Sequence, residues 1–403
     1  MKTLILFNKA PFPVLDGGTM ASHSLAEAVI SLSDSTVLLP FSTPKHPVKA
    51  DLLPKKWKAD AVLESVEADT RIKPVGMLKS MADGTSYHMQ RVRDSTTRHQ
   101  VLQIMQKHRP ELVIVDGLFG LAYAQIIKTA FDVPVIYRSH NVEHRIWEEL
   151  ANKEKNPFKK TTLKILADRL RREEYDMMRF TDGVFFISPA DAEWFENSGF
   201  RKPHEVLFPS FDESFFERKF KPAAVKDELR LFHIGAMDWA PNVEAITHFT
   251  EKIWPELRKE FGKKINFHAA GRHMPESLLN KKVDGVQFSE SVPDFMEFAN
   301  AHHLMAVPLL SGSGIRMKIA EAMVSGIPVI ATSPAIQGIP AEKNKEYLLA
   351  DNVKDWSKRS NDILSGKTDL AVLAKTGREK ARRLFSDEAA KETVAVLMEK
   401  VKR

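Results

Sequence analysis

Two cations, a carboxylate and a run of small residues share one short stretch, 311–328, which reads SGSGIRMKIAEAMVSGIP. Gly312 and Gly314 permit tight turns, Ser313 and Ile315 complete the loop, and a helical pattern follows. The start of such a helix directs free N–H groups and a positive dipole end at an anion. Arg316 and Lys318 add formal charge, and an arginine fork suits a diphosphate because it donates two parallel bonds. On an ideal helix, side chains two apart diverge by about 200°, so both reach one phosphate only if the loop extends past Arg316. Arg316 is therefore the preferred diphosphate ligand, and Lys318 is either a second one or a solvated residue. Glu321, further along, suits hydroxyls such as those of a ribose; in isolation it would be a surface carboxylate.

A second cluster, YRSHNVEH at 137–144, places Arg138, His140, Asn141, Glu143 and His144 at one strand-to-helix turn. His140 is its strongest catalytic candidate. The plainer alternative is helix capping by Ser139 or Asn141 with incidental histidines. His140 and His144 lack a third ligand at a convincing spacing, and the chain contains no Asp-x-Asp, so no metal site is expected. Gly17 and Gly18, before the first helix, could bring their amides close to a phosphate, although a Gly pair alone is an ordinary loop signal. GAMDWAPN at 235–242 supplies Gly235, with Asp238 and Asn242 reading best as helix caps. AAGRH at 269–273 supplies Gly271 and Arg272, either a base or phosphate contact or a solvated loop.

The elements that must position these residues are βα repeats. Continuous apolar runs at 2–7, 36–39, 111–115, 133–137 and 184–187 alternate with helical patterns at 19–32 and 121–130. Continuous rather than alternating apolar strands belong to parallel sheets covered on both faces. The pattern restarts after a broken stretch containing Pro203, Pro209 and Pro222. Strands are then expected at 229–234, 265–269, 286–288, 304–307, 328–331 and 347–349, with a helix at 241–261. The chain thus divides into an N-terminal domain at 1–205, a second at 206–386, and a last helix at 387–403 placed to pack back on the first. Ligands of such sheets bind beyond the carboxyl ends of the strands, where the polar clusters fall, and a cleft between facing domains is the expected site.

Composition limits the alternatives. At 403 residues the chain is long for a single core. It has no cysteine, hence no disulfide or thiolate chemistry, which fits a reducing, cytoplasmic setting. No apolar run approaches the roughly 20 residues of a membrane span, and the apolar start breaks at Asn8 and Lys9, as a buried strand would and a signal peptide would not. The net charge of +6 is modest and dispersed, with no nucleic-acid-binding signature. The basic amphipathic segment 159–178 reads as a packed helix with a solvated face; its sharper alternative is a peripheral contact with the inner face of a membrane.

Taken together, DGG after the first strand, SHNVEH, GAMDWAPN, AAGR and GSGIRMKIAEAMVSGIPVIAT resemble the retaining glycosyltransferases of family 4 over almost the whole chain. The resemblance implies an α/β GT-B fold, two doubly wound Rossmann-like domains facing a central cleft. It implies a nucleoside diphosphate sugar as donor, a glycan, lipid or small-molecule acceptor, a role such as polysaccharide biosynthesis, and neither cofactor nor metal. By motif, Glu321 matches the second glutamate of Glu-x7-Glu, which holds the ribose. Gly17 and Gly18 match amides near the donor phosphates, and His140 a histidine near the transferred sugar. Two departures stand out. Ser313 occupies the place of the first glutamate, and the Asp238 and Trp239 region replaces a basic residue, whose charge Arg316 and Lys318 could supply. The GSGxRxKxxEA variant resembles a branch of bacterial sugar transferases. A nucleotide-sugar epimerase of the same fold and a non-catalytic nucleotide-sugar-binding protein are the alternatives.

Overall fold

The computed structural model describes residues 1–71, 76, 80, 83–222, 224–311 and 314–402. The chain forms two compact units, Met1–Ser210 with Asp387–Arg403, and Phe211–Ser386.

Among the described residues, the first unit builds an eight-stranded sheet from β1 (Lys2–Phe7), β2 (Ser35–Ser42), β3 (Ala61–Leu63), β4 (Val66–Glu67), β5 (Leu112–Asp116), β6 (Val135–Arg138), β7 (Gly183–Phe186) and β8 (His204–Val206). The order is β3-β2-β1-β5-β6-β7-β8, β4 also pairing with β2, and every pairing is parallel. Leu4, Ile5, Leu6 and Phe7 are all buried, as a strand covered on both faces requires. The helices that matter to the site are α1 (Gly17–Leu32), α2 (Glu143–Lys153) and α3 (Pro157–Met178). Gly17 and Gly18 are the first two residues of α1 rather than a loop before it. Asp16 is the N-cap and forms a reciprocal capping box with Thr19, which pulls the helix start back to the glycines.

Helix α3 buries Ala167, Leu170, Glu174 and Met178. That stripe is the packed face expected of the amphipathic segment 159–178, and it takes in a carboxylate. Glu174 meets His144 of α2, whose Nδ1 lies 3.1 Å from Glu174 Oε2. Burial pushes the Glu174 carboxyl well above the usual carboxylate range and lowers His144 to about 4, so burial disfavours the charged form of both partners.

In the second unit, the described residues form a six-stranded parallel sheet from β9 (Leu229–Ile234), β10 (Ile265–Ala270), β11 (Val286–Ser289), β12 (Leu304–Val307), β13 (Val329–Ala331) and β14 (Leu348–Leu349). The order β11-β10-β9-β12-β13-β14 is the doubly wound 3-2-1-4-5-6. The order reverses between β9 and β12 here and between β1 and β5 in the first unit. The helix expected at 241–261 is three consecutive pieces: α4 (Ala240–His248), a π-helical turn at Phe249–Ile253, and Trp254–Phe261. Pro255 accounts for the break, because its ring has no N–H and crowds the carbonyl four residues earlier. Helix α5 (Met317–Val324) follows the small-residue loop, and α6 (Asp387–Val401) ends the chain.

Helix α6 returns to the first unit. It buries Ala390, Val394, Leu397 and Met398 against α1, β7 and β8. A Cβ at Gly183 would lie 2.8 Å from Val401 Cγ1, so glycine permits that approach. Ser210 Oγ ties the helix start down, donating to Asp387 Oδ1 at 2.5 Å.

Candidate functional site

In the second unit the polar groups gather where the strand order reverses. His233, buried near the end of β9, places Nδ1 2.8 Å from the carbonyl of Ala306 on β12. A carbonyl only accepts, so Nδ1 carries the proton and Nε2 presents a lone pair. Burial, with the Lys318 charge, holds the ring well below its ordinary pKa and therefore neutral. Lys318 Nζ lies 3.1 Å from that Nε2 and donates to Asn242 Oδ1 at 2.7 Å. The Asn242 Nδ2 donates to the Ala236 carbonyl at 2.7 Å, which turns Oδ1 toward the lysine. Asn242 is thus a lysine ligand in the first turns of α4 and not the expected helix cap; Trp239 is the N-cap, without a side-chain bond.

Lys318 is the second residue of α5, where a cation opposes the helix dipole. Desolvation, then the Arg316 charge, lowers it to about 7. Arg316 is the N-cap of α5 in extended backbone, so it stands off the helix, and the 200° divergence of an ideal helix does not apply. Its guanidinium lies over the Trp239 ring at 5.6 Å and donates to the Gly314 carbonyl at 3.3 Å, and burial lowers its pKa. Gly314 has φ +72°, which favours glycine, and its carbonyl would lie 3.1 Å from a Cβ at Gly338. Ile315 is half-buried beside it. Gly312 and Ser313 lie outside the described residues.

Gly235 follows β9 directly. A Cβ there would sit 2.3 Å from Lys318 Nζ, so the lysine occupies the space a side chain would fill. A Cβ on Gly271 would lie 1.7 Å from the Gly235 carbonyl oxygen, which makes the two strand-end loops mutually dependent. Arg272 is exposed on the second of these loops and holds it through its backbone, accepting from Met237 N at 2.8 Å. Glu321, one turn beyond Lys318, accepts from Arg218 Nη1 at 2.9 Å. Arg218 in turn lies 3.7 Å over the Phe215 ring.

In the first unit the focus is Asp116, the buried last residue of β5. Its Oδ1 accepts from Arg138 Nη1 at 2.9 Å and His140 Nε2 at 2.8 Å, and Oδ2 from Ser22 Oγ of α1 at 2.5 Å. Burial opposes ionisation, but His140, Arg138 and Ser22 outweigh it and hold the carboxyl well below the usual range. An ionised carboxylate only accepts, so His140 Nε2 carries a proton and Nδ1 is the ring atom left for another partner. Gly117 follows at φ +92°, and a Cβ there would meet Asn8 Nδ2 at 2.2 Å. Asn8 Oδ1 accepts from Phe119 N at 2.8 Å and so fixes this turn. Asp16 takes the Thr19 amide, and among the described residues no acceptor takes those of Gly17 and Gly18.

The residues at 137–144 separate on folding. Arg138 is only 1% exposed and serves Asp116, so it cannot meet a ligand in this conformation. His144 is sealed against Glu174 and Trp194. Asn141 is half-buried, and Ser139 Oγ donates to its carbonyl at 2.7 Å. Burial raises Glu143, against His140 and Asn141. Sequence reasoning passed over Asp116, Asn8, Ser22, His233 and Arg218. The first had a readable signal, an acid closing the apolar run LVIVDG at a strand end. Among the described residues no group of three His, Asp or Glu side chains is arranged to hold a metal ion. A cavity of about 750 Å³ opens beyond β2 and β4, lined by Thr43, Glu67, Asp69, Tyr87, Arg91 and Asp94 among others.

Residues 228–365 match a family model described as Glycosyl transferases group 1. No curated protein matches the chain. Among solved structures, Anabaena HepE in complex with UDP aligns at a TM-score of 0.66 and 16% identity, over 99% of this chain and 100% of that one. Its complex with UDP-glucose aligns at 0.62 and 15% identity, over 99% of each chain. Sucrose-phosphate synthase from Thermosynechococcus elongatus aligns at 0.67 and 14% identity, over 100% and 99%. At these identities the likeness is one of fold: two parallel-sheet α/β units of the GT-B type.

Proposed function

From that common fold, we propose that the chain is a glycosyltransferase that moves a sugar from a nucleoside diphosphate sugar to a glycan, lipid-linked or small-molecule acceptor, with retention at the anomeric carbon. The observation that carries this reading is Lys318: a cation at a helix start, at the reversal point of a doubly wound sheet, whose hydrogen-bond partners among the described residues are both neutral. An anion relieves that arrangement, and a diphosphate is the anion suited to Lys318, the Arg316 fork and the α5 amides together. Glu321 one turn on serves the ribose hydroxyls. The match of 228–365 to the group 1 model and the UDP and UDP-glucose complexes of HepE support the same assignment.

As the glycosidic bond breaks, charge develops on the leaving diphosphate. Lys318, Arg316 and the α5 dipole stabilise it, and the Gly17 and Gly18 amides are further candidate donors to a phosphate. The sugar becomes oxocarbenium-like. His140, held by Asp116, supports it electrostatically, and the departing phosphate takes the acceptor proton on the same face. Asn141 and Glu143 belong to the acceptor side, whereas Arg138 acts through Asp116. The chemistry uses neither metal nor cofactor. A peripheral contact with the inner face of a membrane, through the basic start of α3, would bring a lipid-linked acceptor within reach.

The test is a melting-temperature screen with UDP-glucose, GDP-mannose and ADP-glucose, followed by turnover of the stabilising donor with and without EDTA. A selective upward shift and EDTA-resistant donor consumption that an acceptor accelerates are expected. Epimerised sugar or free nucleotide formed from donor alone would indicate an epimerase, and binding without consumption would indicate a carrier.

A further inference from the structure

We propose that His233 and Asn242 are positioning residues for Lys318, two neutral acceptors that take two of its ammonium protons, leave the third for the donor diphosphate, and leave its charge uncancelled. This deepens the donor reading above and rests on it.

The geometry supports each part. An ammonium has three donors. One meets His233 Nε2 and one Asn242 Oδ1. Both acceptors are themselves fixed: His233 by the Ala306 carbonyl, which sets its tautomer, and Asn242 by the Ala236 carbonyl, which sets its amide orientation. A bare Gly235 leaves room for the lysine tip. The partners' neutrality is the telling feature. A carboxylate at either position would hold the lysine more strongly, but it would cancel the charge and repel a phosphate. Among the described residues, the group whose charge acts on Lys318 is Arg316 from the loop before α5, the titratable one is the neutral His233 from β9, and α4 contributes the uncharged Asn242. The site therefore stores an uncompensated cation at a helix start, which costs stability in the free protein and is relieved by an anion.

The experiment titrates the full chain with UDP-glucose, GDP-mannose and ADP-glucose between pH 6 and about pH 9.5, and repeats it with Asn242→Asp, His233→Leu and His233→Gln. The diphosphate diester keeps its charge over that range, and the uracil and guanine rings lose a proton only at its upper end, so a pH effect below that end reports the protein. Wild-type affinity for its preferred donor should decline above about pH 7, as the lysine loses its proton. Asn242→Asp should weaken binding at pH 6 on the order of 10-fold and move the decline to higher pH, because a carboxylate stabilises the ammonium. His233→Leu should also weaken binding about 10-fold, and His233→Gln, which restores an acceptor, should recover most of it. Wild-type affinity and an unmoved pH profile in both Asn242→Asp and His233→Leu would overturn the positioning role while leaving the donor reading intact. Failure of the wild type to bind any of the three probes would overturn both. If His233→Leu does not fold, the pH profile of Asn242→Asp decides alone.

Discussion

Asp116 Oδ1 lies 2.8 Å from His140 Nε2, and that one contact sets which face of the imidazole can work. The aspartate ends β5 and the histidine follows β6, so two adjacent parallel strands bring them together from 24 residues apart. The same oxygen accepts from Arg138, which leaves the carboxylate ionised and the His140 Nδ1 edge as the one left for another partner.

Asp116→Asn should lower turnover on the order of 100-fold, within the range for loss of one electrostatic stabiliser of the transition state. It should also destabilise the first unit by about 3–5 kcal/mol, because Arg138 keeps its charge in a buried site without a counter-ion. Donor affinity measured on the second unit's site should change little. Steady-state kinetics and urea unfolding of the same variant check both parts, and unimpaired turnover would remove Asp116 from the mechanism.

The folded Asp116 carboxyl is held below its unfolded value, so its contribution to stability is complete above about pH 4 and is lost as the pH falls further. Urea unfolding between pH 7 and pH 3 should show wild-type stability dropping at the acid end, with Asp116→Asn losing less over the same interval. Parallel curves would refute the assignment.

Gly235→Ala and Gly271→Ala should differ in kind. The new methyl at 235 meets the flexible tip of Lys318, so the protein should fold with a small loss of melting temperature and bind donor at least about 10-fold more weakly. The methyl at 271 meets a backbone carbonyl at 1.7 Å, so that variant should lose more than the roughly 1–3 kcal/mol usual for overpacking. Equal melting temperatures for the two variants would contradict the packing described.

Glu321 is ion-paired to Arg218, with both side chains partly exposed. Such a pair is worth about 0–1 kcal/mol, so neither Glu321→Ala nor Arg218→Ala should shift the melting temperature much. Donor affinity separates them: Glu321→Ala should lose about 10-fold through the ribose bonds, and Arg218→Ala far less. Identical losses would mean that Glu321 acts only through the ion pair.

Helix α3 carries Phe158, 84% exposed, and the exposed Ile165, Leu150 of α2 is exposed too, and Lys153, Lys155, Lys159, Lys160 and Lys164 fall in the same stretch of sequence. Co-sedimentation with vesicles containing about 30% phosphatidylglycerol should show binding that neutral vesicles do not support and that salt weakens, each basic residue near the surface contributing about 1 kcal/mol. Phe158→Ser with Lys159→Glu and Lys160→Glu should abolish it. Equal binding to neutral vesicles would exclude an electrostatic membrane contact.

Much of the architecture follows from the sequence by itself, because its signals are local. Runs such as TLILF and LVIVD between turn signals read as strands covered on both faces, and helices between them favour parallel pairing. Residues 311–328 likewise carry the local signature of an anion site, since small residues, cations and a predicted helix start lie in one window. What only the tertiary structure decided are the partners that come from elsewhere in the chain. Asp116 meets His140 across a strand pair, and Lys318 meets His233 from 85 residues away and Asn242 from 76. Local pattern cannot register these contacts, because strand order and the depth of a buried side chain set them. The same physics reassigned Arg138 and His144. Both lie in the cluster that looked catalytic, yet burial gives one to Asp116 and the other to Glu174.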